Sequence, residues 1–196
     1  MVSAVQTGVK ERKAAVPGVG SPGVTLPGVA SPGADARITA AWEILATIED
    51  PENPALSIVD LGLIRFVRPT LNGQIEVGLS PTYVGCPATE VIRRSVRDAL
   101  EKTAVGEFEV TNVLSPAWSS DWITPDGRRK LHEYGIVPPA RGVSNMRDVL
   151  RAGQPVACPR CNSVDTETLS EFGSTPCKAL HRCRACLEPF EYFKCI

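Results

Sequence analysis

Apolar residues along the chain fall into blocks of two different periods. Ile38, Ala41, Trp42, Leu45 and Ile48 recur at three- and four-residue intervals, which predicts an amphipathic helix over residues 36–48, capped by Asp35, with its apolar stripe on a sheet. Residues 64–67 and 75–79 read as two strands, and Asn72-Gly73 between them suits a hairpin turn with positive φ. Val91, Ile92, Ser95, Val96, Ala99 and Leu100 return to helical spacing and predict a second helix over 87–102. Pro87 suits its first position, where a missing N–H costs nothing. Phe108, Val110 and Val113 mark a third strand over 107–114. The order α-β-β-α-β defines a small α+β domain, with helices packed on a mixed sheet.

The remaining segments read differently. Residues 1–35 carry Pro-Gly at every fifth position, from Pro17 through Pro22 and Pro27 to Pro32. Proline removes backbone donors, glycine raises the entropy lost on ordering, and no large side chain offsets either, so a disordered arm is expected. Asp50-Pro51-Glu52-Asn53-Pro54 stops the first helix in an extended acidic loop that continues to Ile64. Within that loop Asp60 suits a bond to nearby amides. Trp118 and Trp122, four apart, read as a patch covering the core. Residues 124–135 read as a short helix with Thr124 as N-cap, Pro125 in the first turn and Gly135 as the stop. Its Arg128-Arg129-Lys130 run is expected on one solvated face, and His132 on the surface. The domain so defined spans residues 36–137. A Pro/Gly-rich linker over 138–156, with a short helix at about 146–150, leads to a last unit over 157–196. There residues 164–171 alternate like a strand, and Phe190, Tyr192 and Phe193 supply a second.

Chemistry enters with the cysteines. Cys158-Pro159-Arg160-Cys161 and Cys183-Arg184-Ala185-Cys186 form two CxxC pairs about twenty residues apart, the ligand spacing of a zinc ribbon. Each pair fits one tight knuckle, and two knuckles close a tetrahedral four-thiolate site for a structural Zn2+. The same thiolates would also serve a redox or iron–sulfur pair, or share ligation with Cys177, Cys195 or His181. So small a unit buries too little apolar surface alone, and its folding should depend on the metal.

Of the seven cysteines, Cys86, Cys177 and Cys195 stand outside the CxxC pairs. Cys86 lies at or beside the N-cap of the helix over 87–102, where unpaired amides and the helix dipole favour a thiolate suited to metal. The alternative is a buried structural cysteine. Cys177 and Cys195 read as buried small hydrophobes, replacement ligands or exposed thiols. A net charge of −1 removes any chain-wide argument for nucleic acid or an anionic membrane. Over residues 158–196 five basic side chains face five acidic ones, leaving no basic footprint for nucleic acid. With no apolar run of spanning length and no cleavable leader, the chain reads as soluble and cytoplasmic.

Two sets of motifs resemble known families. Asp50-Pro51-Glu52, Val59-Asp60-Leu61-Gly62-Leu63-Ile64 and Thr82-Tyr83-Val84-Gly85-Cys86-Pro87 resemble the DPE…LGL and T-x-x-x-C-P signatures of the metal–sulfur cluster assembly (SufT-like) family. The segment 118–135 and the ending from Glu171 to Ile196 resemble the PaaD family of phenylacetate degradation. The resemblance implies a non-enzymatic accessory protein of the phenylacetyl-CoA epoxidase system. It would deliver an iron–sulfur cluster or iron to an oxygenase or reductase subunit through Cys86, with Asp50, Glu52, Asp60 and Thr82 as neighbours of the metal. One such cysteine per chain cannot hold a cluster, so a site shared across a homodimer or with the client is expected. The competing readings are an adaptor that only binds the epoxidase subunits, with Cys86 structural, and a zinc-ribbon nucleic-acid binder, which the balanced charge disfavours. A thiol enzyme would need a base beside Cys86, and neither His132 nor His181 lies near it in sequence.

Overall fold

The computed structural model describes residues 36–83, 85–142 and 156–194. The arm over 1–35 with the Asp35 cap, the short helix near 146–150 and Cys195 lie outside the described residues.

The first helix, α1 (Ala36–Leu45), buries Ala41 and Leu45 and is followed by the short strands β1 (Glu49–Asp50) and β2 (Asn53–Ser57). These two pair antiparallel where the sequence suggests only an extended loop. The Asp50 carboxylate closes the turn between them, accepting from the amides of Glu52 at 3.0 Å and Asn53 at 2.7 Å. Next come β3 (Ile64–Pro69), β4 (Ile75–Leu79), α2 (Ala88–Glu101) and β5 (Phe108–Asn112). Their sheet has the order β3-β4-β5, with β3 antiparallel and β5 parallel to the central β4. Val77 of β4 therefore stands between Val67 and Val110. On α2 the buried residues Ala88, Ile92, Val96 and Leu100 repeat every four positions and form the stripe that covers the sheet. Gly73, at φ +79°, makes the β3–β4 turn, as Asn72-Gly73 predicts.

Beyond β5, the turn Ser120–Trp122 leads into α3 (Pro125–Glu133), capped by the Thr124 hydroxyl, which accepts from the Gly127 amide at 2.9 Å. Trp118 is core: it is 4% exposed, and its indole N–H donates to the Leu61 carbonyl at 3.0 Å. Trp122 lies 3.2 Å beneath the Arg65 guanidinium. The Arg128-Arg129-Lys130 run departs from the expected solvated face. Successive helical residues point about 100° apart, and only Arg129 stays outside, paired with Asp126 and Glu133. Arg128 donates to the Ser120 and Pro139 carbonyls, and Lys130 reaches Asp60.

The second sheet has the order β6-β9-β8-β7, from β6 (Ile136–Val137), β7 (Thr166–Ser170), β8 (Lys178–Cys183) and β9 (Pro189–Phe193). Its edge strand β6 precedes the expected linker and pairs parallel with β9, so the sheet crosses the boundary drawn at 138–156. Phe193 and Cys177 are buried in the same core cluster as Leu61, Leu63 and Leu79. Among the described residues, no helix is long and apolar enough to cross a membrane.

Candidate functional site

The four CxxC cysteines converge. In each knuckle the residue after the second cysteine takes a left-handed conformation, Asn162 at φ 57° and Leu187 at φ 64°, and turns the chain back. The Cys158 amide then donates to Ser163 O and the Cys183 amide to Glu188 O, both at 2.9 Å. All four sulfurs lie within 4.8 Å of one another, with Cys158–Cys186 at 3.7 Å and Cys161–Cys183 at 3.6 Å. A tetrahedron with Zn–S bonds of about 2.3 Å has edges of about 3.8 Å, so the donor set fits a structural Zn2+. The Cys186 amide, with a second amide and neighbouring thiols, pulls the Cys183 thiol down to about 7. His181, the alternative ligand, packs at 5.6 Å against the Phe190 ring and is not in the cluster. Around the knuckles Arg160 pairs with Glu188, and Arg182 and Arg184 with Glu167.

The second site lies at the head of α2. The chain leaving β4 runs through Ser80, Pro81 and Thr82 and returns at Cys86, which is half-buried and precedes the N-cap residue Pro87. The helix thus begins at Ala88, one residue later than the sequence suggests. Pro87 has no N–H and makes no side-chain cap bond, and the Cys86 carbonyl accepts from the Thr89 amide at 3.1 Å. Opposite, the β1–β2 turn presents Asp50, Glu52 and Asn53. The space between is narrow, about 20 Å3, enough for a water or a metal ion and far too small for a coenzyme A thioester.

Three of the four expected neighbours, Asp50, Glu52 and Thr82, line this cleft with Cys86. Asp60 does not. Its carboxylate turns to the other side of the loop, accepting from the Ser57 amide at 2.9 Å and the Lys130 ammonium at 2.7 Å. The residue marked as a metal neighbour is thus a tie between the β2–β3 loop and α3. Asp50 is also largely committed, and burial pushes its carboxyl above the ordinary range.

The wall facing Cys86 is completed from the ribbon. Cys177, 3% exposed, sits where the chain enters β8, with its sulfur 3.7 Å from Glu52 Oε2 and 3.9 Å from Asn53 Nδ2. It is not a zinc ligand, and burial holds its thiol above the usual cysteine range. Burial, then the nearby Cys86 and the charges of Glu52 and Cys177, push the Tyr83 phenol up to about 12. Asn53 and Ser80, which line the cleft, and Tyr83 beside Cys86 are site residues that sequence reasoning missed; for Tyr83 alone a signal existed, its place within the T-x-x-x-C-P stretch.

Comparisons with known proteins bear on both sites. Residues 38–115 match a family described as iron-sulfur cluster assembly protein, and residues 143–194 match one described as PaaD zinc beta ribbon domain. The chain is 47% identical over 163 residues to an Escherichia coli (strain K12) protein provisionally named as a subunit of 1,2-phenylacetyl-CoA epoxidase, covering 83% of this chain and 96% of that one. It is 30% identical over 89 residues to an Fe-S protein maturation auxiliary factor of Porphyromonas gingivalis, covering 45% and 84%. A crystal structure of a domain of unknown function from Bacillus anthracis aligns with a TM-score of 0.45 at 28% identity, over 49% of this chain and 92% of that one.

Proposed function

The chain belongs to the PaaD family, and from that premise we propose that it is an accessory maturation protein of a phenylacetyl-CoA epoxidase system. It acts in the cytoplasm, carries no turnover chemistry of its own and assists delivery of an iron–sulfur cluster or iron to an oxygenase or reductase subunit. Cys86 is the cargo thiol. The observation that carries this is its setting: a half-buried thiol at the head of α2, in a cleft with Glu52 and Thr82 and with room for an ion rather than for an organic substrate. A closed four-thiolate site leaves no open coordination position, so the ribbon zinc fixes shape and presents the chain to its client.

The experiment is maturation of the client in cells carrying wild-type or Cys86→Ala chain. The epoxidase subunits are isolated without oxygen and their iron and sulfide are measured. Loss of iron from one subunit with Cys86→Ala, while the complex still forms, supports the reading. Full iron content with Cys86→Ala, and loss only when the ribbon is disrupted by Cys158→Ser, establishes the adaptor reading in its place.

A further inference from the structure

We propose that the groove between β2, the end of α3 and β9 is where the client docks, and that it takes a client segment presenting an arginine or lysine beside apolar side chains, with Glu52 as the counter-charge. This rests on the reading of the chain as a maturation protein and names the surface through which its client is held.

The groove measures about 420 Å3, against about 20 Å3 for the cleft at Cys86, and so has room for side chains rather than a single ion. Pro54 of β2 and Tyr134 at the end of α3 line it from the first domain, and Pro189 and Phe190 of β9 from the ribbon. Pro54, Pro189 and Tyr134 are exposed, Tyr134 to 65%. A tyrosine left in water beside two prolines offers a stiff apolar face, and tyrosine is enriched where proteins meet.

Charge sets what the segment must carry. Lys178, whose side chain is 5% exposed, pairs with Glu191 at 3.0 Å, and the same carboxylate accepts from the Ser174 amide at 2.6 Å. Those two charges cancel within the groove. Glu52 remains. It is half-buried, and among the described residues its carboxylate has the Cys177 thiol at 3.7 Å as a partner and no cationic one. A thiol is a weak donor, so a carboxylate partly withdrawn from water stands without a counter-charge. Among the described residues Glu52 belongs to no group that could share a metal ion, which leaves the missing charge to a side chain of another molecule. Arginine and lysine carry that charge on a methylene stem that packs along apolar surface, here Tyr134 and the prolines.

The groove also adjoins the cleft. Glu52 and Asn53 line both, and of two successive residues Cys177 lines the cleft and Lys178 the groove. A client held at Glu52 is therefore held at the wall of the cleft that Cys86 lines.

The test uses the full zinc-loaded chain, reduced and free of oxygen, against the isolated oxygenase and reductase subunits of the epoxidase system. Irradiation of Tyr134→p-benzoylphenylalanine chain is expected to cross-link one segment of one of those subunits. An arginine or lysine in that segment, changed to glutamate, should weaken binding, and Glu52→Lys should restore it. In the unmodified client, Tyr134→Ala is expected to weaken binding about tenfold and Glu52→Gln about fivefold at low salt, and high salt should erase the difference between Glu52→Gln and wild type. Leu71→Ala, at an exposed apolar side chain in the β3–β4 turn, should leave binding unchanged. Wild-type affinity in Tyr134→Ala and Glu52→Gln, an equal loss in Leu71→Ala, no binding by the wild type, or cross-links only to residues 1–35 or to a second copy of this chain overturns the proposal. If the client's iron still depends on Cys86 in any of those cases, the maturation reading stands; if it does not depend on Cys86, that reading fails whether or not the groove binds.

Discussion

Asp60 and Lys130, seventy positions apart, are joined by a 2.7 Å ion pair that ties the loop after β2 to α3. The Asp60 side chain is 10% exposed and also accepts from the Ser57 amide and hydroxyl, whereas Lys130 is 35% exposed. Removing the ammonium leaves a nearly buried carboxylate with neutral donors alone. Breaking a fully buried pair costs about 3–5 kcal/mol; discounted for the exposure of Lys130, Lys130→Met should cost about 2 kcal/mol. Urea denaturation checks this. The pair lies apart from the cleft, so the variant should mature the client as the wild type does.

Gly62, in the Leu61-Gly62-Leu63 motif, has φ +68°, and a Cβ there would stand 2.5 Å from the Trp122 carbonyl oxygen. Gly73 has a similar φ of +79° but nothing within 4 Å of its Cβ position. Left-handed backbone alone costs a residue with a Cβ about 1–2 kcal/mol, so Gly73→Ala should lose about that much. Gly62→Ala adds a backbone clash that cannot relax by rotating a side chain. It should lower the melting temperature well beyond the Gly73→Ala shift, and equal shifts would contradict the close approach of Trp122.

His181 is held neutral by burial, with its pKa below the ordinary 6.5. The unfolded chain then binds a proton near pH 6.5 that the folded chain refuses until lower pH. Stability from this group is complete above about pH 6.5 and is lost as pH falls below that value and through the lowered pKa of the folded state. His181→Phe keeps the stack with Phe190 and removes the titration. Thermal melts of zinc-loaded wild type and variant, compared at pH 7.5 and 5.5, should show a wider gap in favour of the variant at the lower pH. Protonation of the zinc thiolates affects both proteins and cancels in the difference.

The features legible in the sequence are those written in local period or spacing. The stripe of α2 repeats every four residues, the β3–β4 turn is marked by Asn72-Gly73, and the zinc ligands sit in two CxxC pairs. β8 is not legible, because its buried positions include Lys178 and His181, whose burial depends on Glu191 and Phe190 of the paired strand β9. Asp60 shares a motif with the cleft residues, yet its side chain is claimed by Lys130 of a helix seventy positions on. The place of Cys177 beside Asn53 spans 124 positions and has no local signature at all.

Zinc removal should reach the cleft as well as the ribbon. β8 and β9 begin and end around the knuckles, and their far ends carry Cys177 and Phe193 into the core. The Phe193 ring lies 6.3 Å from that of Trp118, which is itself 4% exposed. Without metal the four thiols lose the bonds that hold the knuckles, and so small a sheet has little apolar area to replace them. Chelation, or Cys158→Ser, is therefore expected to release Cys177 to thiol reagents along with the ligand cysteines. It should also shift tryptophan emission to the red as Trp118 loses its Phe193 cover, while α1, α2 and the β3-β4-β5 sheet persist in circular dichroism. Re-addition of one equivalent of Zn2+ should reverse both changes in the wild type and neither in Cys158→Ser. Unshifted emission and a protected Cys177 after complete zinc removal would mean that β9 docks without the metal, held by its pairing with β6 and the burial of Phe193.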